Sequence, residues 1–319
     1  MAAVGAQEAI ADVAALAEDV AKAVNEVVRG REEVVDLTLV ALFSGGHLLI
    51  EDVPGVGKTL LAKSLATAVG GRFSRIQATP DLLPSDVTGS SVYQPVKGDW
   101  EFHPGPIFAN VVVVDEINRA TPRTQSSVLE AMEERQVTVD GVSRAVPEPF
   151  FLIATQNPRE HAGTFPLPDG QLDRFAVTTS MGYPAAEDET AVLLGEGGVA
   201  ALASVTQLAT IDQVADAIEA TGRVHVQRAL AEYVVAIASA TRSHPAIAIG
   251  ASPRAATSLL RAAQARAAIR NRDHVVPDDV QRLAIAVLGH RLVVRDGTGA
   301  RTGALVVEDV IESVPVPRQ

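Results

Sequence analysis

Two short stretches hold the side chains with the most obvious chemistry. In the first, Lys58 and Thr59 follow Gly55-Val56-Gly57; in the second, Asp115 and Glu116 end the run Val111–Val114. Glycines let successive backbone N–H groups turn inward as an anion nest, and a helix starting there adds donors of its own. A lysine so placed reaches the β- and γ-phosphates of a nucleotide, and a threonine hydroxyl beside it can hold Mg²⁺. A carboxylate at the end of a buried strand, as Asp115 would be, can bind the same ion directly or through water. Glu116 is then placed to orient or deprotonate a water attacking the γ-phosphate. Asn157, in Gln156-Asn157-Pro158, ends a further apolar run. It can hydrogen-bond the attacking water or the γ-phosphate, or simply form a turn before proline.

The surrounding elements suit that chemistry. Leu48-Leu49-Ile50 reads as a strand, Glu51 to Thr59 as a tight loop, and Leu60 to about Val69 as a helix stopped by Gly70-Gly71. The loop fits G-x-x-x-x-G-K-[ST], except that Asp52 stands where the first glycine is expected. That sequence makes Asp52→Gly a tolerated change, because the phosphate-facing donors run from Gly55 to Thr59. Four consecutive valines before Asp115 indicate a strand buried on both faces, as in a parallel sheet. Helices are expected over residues 8–28 and 32–43 and from about Pro122 to Glu134, with strands at Phe73–Ala78, Phe150–Thr155 and within Leu172–Ser180. Asp140-Gly141 marks a hairpin within Arg135–Val146. Thr79 to Phe108 is rich in proline and glycine and weakly patterned, which suits a functional loop. Its aromatic residues Trp100, Phe102 and Phe108 suit either a client-touching loop or an insert packed on itself. Glu130, Glu133 and Glu134 read as a solvated helix face. After Tyr183-Pro184 the chain becomes alanine-rich with helical stripes, and the tail from Val294 to Gln319 has no firm pattern.

Composition narrows the function classes. The 319 residues suffice for two domains. No cysteine is present, which excludes disulfides and thiolate metal sites and suits a reducing compartment. The formal charge of −12 makes a broad nucleic-acid-binding face unexpected. No basic residue precedes the apolar ones at the N-terminus, unlike a secretory signal, and no uncharged apolar stretch is long enough to span a membrane. A cytoplasmic protein is expected. The seven histidines show no paired-ligand spacing.

Taken in order, Ile-Glu-Asp-Val-Pro-Gly-Val-Gly-Lys-Thr, Val-Val-Val-Val-Asp-Glu-Ile-Asn-Arg-Ala, Arg-Thr-Gln-Ser-Ser-Val-Leu-Glu-Ala-Met-Glu-Glu and Ala-Thr-Gln-Asn-Pro resemble the MoxR-type AAA+ ATPases. The resemblance runs from about Val28 into the helical half. It implies an α/β fold, a P-loop core with a five-stranded parallel sheet of order 5-1-4-3-2 and a smaller all-α lid domain. Residues 1–184 would form the nucleotide-binding domain, with an insert at about 79–108 and a hairpin at about 134–149, and residues 185–319 the lid and tail. ATP and Mg²⁺ are the implied ligands. Lys58 and Thr59 match the Walker A positions, with Gly55, Val56, Gly57 and Leu60 around them, and Asp115 and Glu116 match Walker B. Val28-Arg29-Gly30 resembles the segment lining the adenine pocket. Asn157 resembles sensor 1, Arg174 an arginine finger acting on the neighbouring subunit's γ-phosphate, and Arg254 sensor 2. The implied assembly is a homo-oligomeric ring, usually a hexamer, remodelling a protein client in maturation or metal insertion. A partner carrying a von Willebrand factor A domain is implied as well.

Two other readings share the phosphate loop. A nucleic-acid-translocating motor is disfavoured by the net charge and by a hairpin tip with only Arg144 nearby. A small-molecule kinase leaves Glu116, Asn157 and Arg174 together unexplained. Lys58→Ala should abolish or severely weaken ATP binding in isothermal titration, because it removes the charge complementary to the β/γ-phosphates; unchanged affinity would remove the loop from the site.

Overall fold

The structure, a computed structural model, describes residues 2–53, 55–157, 163–295 and 300–317. Pro54 of the loop and Pro158 after Asn157 lie outside the described residues. Helices Ala2–Val27 (α1) and Glu32–Phe43 (α2) lead into strand Leu48–Glu51 (β1), helix Lys58–Ala68 (α3) and strand Phe73–Gln77 (β2). The weakly patterned stretch expected to be a functional loop contains regular structure. It holds the short helix Pro84–Thr88 (α4) and an antiparallel hairpin of Gly89–Gln94 (β3) and Asp99–Pro104 (β4). Phe102 meets Phe108 edge-on at 5.7 Å, so part of the insert packs on itself, whereas Trp100 and Val96 stay exposed.

Val111–Asp115 (β5) follows, then a 3₁₀ turn at Ile117–Arg119 and helix Pro122–Glu134 (α5). Thr121 caps α5 by accepting from the Thr124 N–H, and Pro122 sits in the first turn, where no donor is missed. The hairpin signal is met by Gln136–Val139 (β6) and Val142–Ala145 (β7), and Phe151–Gln156 (β8), helix Asp169–Leu172 (α6) and Val177–Thr179 (β9) complete this half.

Five of these strands form one parallel sheet in the order β2-β5-β8-β1-β9. Numbered among themselves along the chain, they read 2-3-4-1-5, the expected order seen from the other edge. Alternation sorts their side chains. Leu48, Ile50, Val111, Val113, Phe151, Ile153 and Val177 enter the core shared with α1, α2 and α3. Leu49, Val112, Val114, Leu152 and Ala154 enter a second core with Val128, Leu129 and Met132 of α5.

Beyond Pro184 lie Ala186–Leu193 (α7), Gly198–Leu202 (α8), Ile211–Gly222 (α9), Arg228–Ser243 (α10), Pro253–Ile269 (α11), Pro277–Leu288 (α12) and Ala300–Ser313 (α13). The lid is helical, with one correction: Ile247–Ile249 (β10) and Val293–Val294 (β11) form a small antiparallel pair. The tail, unread in the sequence, contains α13, whose Val306, Val307 and Val310 are buried. Helix α1 packs on α3 below the sheet and on α9 and α11 of the lid.

Inside the lid, Asp279 is fully buried. It accepts from Arg272 at 2.8 and 2.6 Å, from the Val276 N–H at 2.9 Å, and from Arg266. Burial alone would raise its pKa; the Arg272 and Val276 hydrogen bonds and the arginine charge outweigh it and hold the carboxyl below its usual range. Stability from this group is present above the unfolded carboxyl pKa and is lost as pH falls through the lower folded value. Asp279→Ala strands two guanidiniums and should cost about 3–5 kcal/mol. Chemical denaturation measures this; a loss near zero would show that the arginines find other partners.

Candidate nucleotide site

The site is built where strand ends meet a loop. The register pairs Glu51 with Gln156 and Gln77 with Asp115, so β1, β2, β5 and β8 end at one edge of the sheet. Ligands of open parallel sheets bind at such carboxyl ends. Gly57, the residue before α3, has φ +99°, a left-handed conformation in which a side chain would be strained. No side chain caps α3, so its first N–H groups face the loop, available to an anion.

A cavity of about 190 Å³ is lined by Gly55, Gly57, Lys58, Thr59 and Leu60 on one side and by Asp115, Glu116 and Thr155 on the other. The structure thus brings both sequence-predicted stretches to one place. Arg75 and Gln77, which the sequence did not single out, line it too. Lys58 folds back onto the carbonyls of Asp52 (3.1 Å) and Val53 (3.0 Å). Burial lowers the Lys58 pKa, and the carboxylates of Asp52, Asp115 and Glu116 oppose that shift.

Asp115 is buried; its Oδ2 accepts from Arg75 Nε at 2.6 Å, and Thr155 donates to Oδ1 at 3.4 Å. Glu116 has φ +55°, uncommon outside glycine. Its N–H donates to Thr155 Oγ1 (2.9 Å), and its carboxylate accepts from Arg119 (2.9 Å) and Gln77 (3.4 Å). Asn157 is buried just past the end of β8.

The Thr59 hydroxyl and the Asp115 carboxylate share this cavity with the loop N–H groups. That donor set suits Mg²⁺, which typically takes one or two carboxylates and completes its shell with phosphate oxygens and water. Among the described residues no group of three or more His, Asp or Glu is arranged to hold a metal by itself.

Asp52 ties the loop to the segment after β9. One carboxylate oxygen accepts from the Val53 N–H (2.7 Å); the other accepts from Ser180 Oγ (3.0 Å) and from the Gly182 N–H. Arg31 then donates to the carbonyls of Gly182 (2.8 Å) and Tyr183 (3.2 Å). This chain of contacts brings the Val28–Gly30 segment alongside the loop. Val28 is buried, and a Cβ on Gly30 would lie 2.1 Å from the Asp188 carboxylate of α7.

Arg174 and Arg254 do not line that cavity. Both meet Glu133 at the end of α5, Arg174 Nε at 2.9 Å and Arg254 Nη1 at 2.7 Å. Glu133 lies on an exposed helix face, as read, and its carboxylate is in addition engaged by two arginines. They line a separate cavity of about 200 Å³ with Arg135 and Arg261. The segment holding Arg174 is clamped from the lid. Arg291, buried, donates from Nη2 to the carbonyls of Asp173 (3.2 Å) and Phe175 (2.7 Å), on either side of it. Ser252, which caps α11 just ahead of Arg254, donates to the Asp173 carboxylate (3.1 Å).

A parallel sheet with a phosphate loop after one strand, adjacent acids after another and a helical lid defines a P-loop nucleotide-binding architecture. Residues 47–177 match the ATPase family associated with various cellular activities (AAA), and residues 239–312 match the AAA lid domain. The Bacillus subtilis protein YeaC is 44% identical over 299 residues, 93% of each chain. The chaperone MoxR1 of Mycobacterium tuberculosis is 39% identical over 306 residues, 92% of this chain and 81% of the relative. The crystal structure of a candidate ATPase from Cytophaga hutchinsonii superposes over 100% of both chains, with a TM-score of 0.90 and 33% identity. The chain belongs to the MoxR family of AAA+ ATPases.

The expectation that Asp52→Gly is tolerated changes accordingly. The substitution leaves the Val53 and Gly182 N–H groups and the Ser180 hydroxyl without their acceptor. A loss of about 1–3 kcal/mol is expected in chemical denaturation, together with weaker ATP binding as the loop loosens. Wild-type values for both would show that the tie is dispensable.

Proposed function

We propose that this chain binds and hydrolyses ATP with Mg²⁺ and works as one subunit of a homo-oligomeric ring, a hexamer by resemblance to its family. The observation that carries the reading is the division of the site. Lys58, Thr59, Asp115 and Glu116 line one cavity, whereas Arg174 and Arg254 line another, where both are held by Glu133. Phosphoryl transfer rests on positioning and on stabilising negative charge, for which a trans arginine is a recurrent device. Arg75, the arginine lining the subunit's own cavity, is paired with Asp115, so Arg174 and Arg254 at the separate cavity would serve a neighbour's phosphates.

Lys58 would exchange its two loop carbonyls for β- and γ-phosphate oxygens. Thr59 and Asp115 would hold Mg²⁺, which when bound neutralises charge on the phosphates. Glu116 would accept a proton from the attacking water, and Asn157 would orient that water or the γ-phosphate. Val28 and Gly30 would border the base. The resemblance made Arg254 sensor 2; its pairing with Arg174 through Glu133 favours a role beside Arg174 at the neighbour's nucleotide. Residues 1–184 would act as the nucleotide-binding unit and residues 185–319 as the lid that moves with it.

The work done is proposed to be remodelling of a protein client in the cytoplasm, in maturation or metal insertion. The likeness to a relative named a chaperone supports this. A protein with a von Willebrand factor A domain is the first partner class to test. Nucleic-acid translocation has less support: Arg144, the basic group near the β6–β7 tip, is stacked 3.8 Å over the Phe102 ring. No helix among the described residues is long and apolar enough to cross a membrane.

Mutant mixing tests the division directly. Arg174→Ala should bind ATP almost normally and hydrolyse it up to about 10³–10⁵-fold more slowly. Glu116→Gln should bind and not hydrolyse, since an amide cannot act as a base. Mixed under subunit exchange, the two should recover partial activity at interfaces that join a normal Glu116 to a normal Arg174. Mixed rings inactive at every ratio, with Arg174→Ala alone fully active, would reject the trans assignment.

A further inference from the structure

We infer that Glu133 is a positioning residue that aligns Arg174 and Arg254 as a single two-arginine unit for the neighbouring subunit's phosphates. The inference rests on the proposed trans reading and adds to it the group that sets the arginines' geometry.

Each Glu133 oxygen takes one guanidinium, Oε2 from Arg174 and Oε1 from Arg254. Arg174 is engaged through Nε, which leaves both terminal nitrogens; Arg254 is engaged through Nη1, which leaves Nη2 and Nε. The carboxylate therefore occupies one donor of each arginine and leaves the rest for an anion. Two long cations from different elements, the segment before β9 and the start of α11, would otherwise repel each other and sample many rotamers. One carboxylate between them opposes the repulsion and fixes their separation.

The mount is rigid at all three points. Behind Glu133, Arg135 donates to the carbonyls of Phe150 (2.6 Å) and Gly45 (2.7 Å), holding the end of α5 against the sheet. Arg291 clamps the backbone on both sides of Arg174, and the Ser252 cap ties the start of α11 to Asp173. The ion pairs themselves are partly exposed, with Glu133 at 32%, Arg174 at 29% and Arg254 at 44%. Pairs this exposed contribute little to folding, so alignment is the role that remains. The cavity also holds Arg135 and Arg261, so one carboxylate among four arginines leaves it a cationic receptor.

The test uses the full chain with ATP. Glu133→Gln keeps shape and loses charge, and kcat should fall about 10- to 100-fold, the scale of a misaligned reacting group. KM for ATP should stay near wild type, because the subunit's own phosphate loop is untouched. Glu133→Asp, shorter but charged, should recover part of the rate. Mixed with Glu116→Gln subunits, which carry intact arginines, Glu133→Gln should regain activity as Arg174→Ala does; a general folding or assembly defect would not be complemented in this way. The inference is overturned if Glu133→Gln hydrolyses at the wild-type rate or faster, or if it stays inactive in mixtures where Arg174→Ala recovers. Full activity of Arg174→Ala by itself would instead overturn the trans reading on which the inference stands.

Discussion

Keeping a positive charge on a partly buried lysine is the constraint that the nucleotide site depends on. Lys58 sits at the start of α3, where the helix dipole and open N–H groups already favour anions. Burial pulls its pKa down, and three carboxylates, from β1's end and β5's end, pull it back. Those carboxylates cannot be left to repel one another. Asp52 is turned away to hold the Gly182 segment, Asp115 is matched by Arg75, and Glu116 by Arg119. The strand register enforces this arrangement, because Gln77 and Asp115, and Glu51 and Gln156, are paired neighbours.

Much of this frame was legible before any coordinates. The valine run of β5 and the apolar β1 and β8 announce buried parallel strands, and glycines with Lys58-Thr59 announce the loop. What escaped was whatever depends on a distant partner. Arg75 lies 40 positions from the carboxylate it neutralises, and Arg254 lies 121 from Glu133. On a helical wheel Glu133 is simply polar; only the fold reveals that two cations cover it. Asp52 read as a deviation from a pattern, whereas its role is defined by Ser180 and Gly182. The hairpin inside the insert escaped for another reason: Ser90, Ser91, Tyr93 and Gln94 are partly or fully exposed, so it lacks a buried alternating face. The β10–β11 pair is too short to outweigh the helical pattern around it.

The two cavities are joined within one subunit by a short turn and the helix that follows it. The 3₁₀ turn after Glu116 leads directly into α5, whose first turn follows Arg119 and whose last turn carries Glu133. Gln125, in the first turn of the helix, donates to the carbonyls of Ile117 (3.2 Å) and Phe165 (2.8 Å), fixing the start of the helix to those segments. A displacement at Glu116 would therefore reach the arginines along a packed helix, with no flexible linker between.

Helix α1 has a consequence of a different kind. Ile10, Val13, Ala17, Val20, Val24 and Val27 are buried on it, and it contacts α3 of the sheet domain as well as α9 and α11 of the lid. Its valine stripe is common property of the two halves, so a lid excursion that parts them must wet apolar surface on at least one side. Hydrating such surface raises heat capacity. Lid opening in this protein would carry a calorimetric signature, with an enthalpy that changes with temperature, and its equilibrium would drift as the solution is warmed.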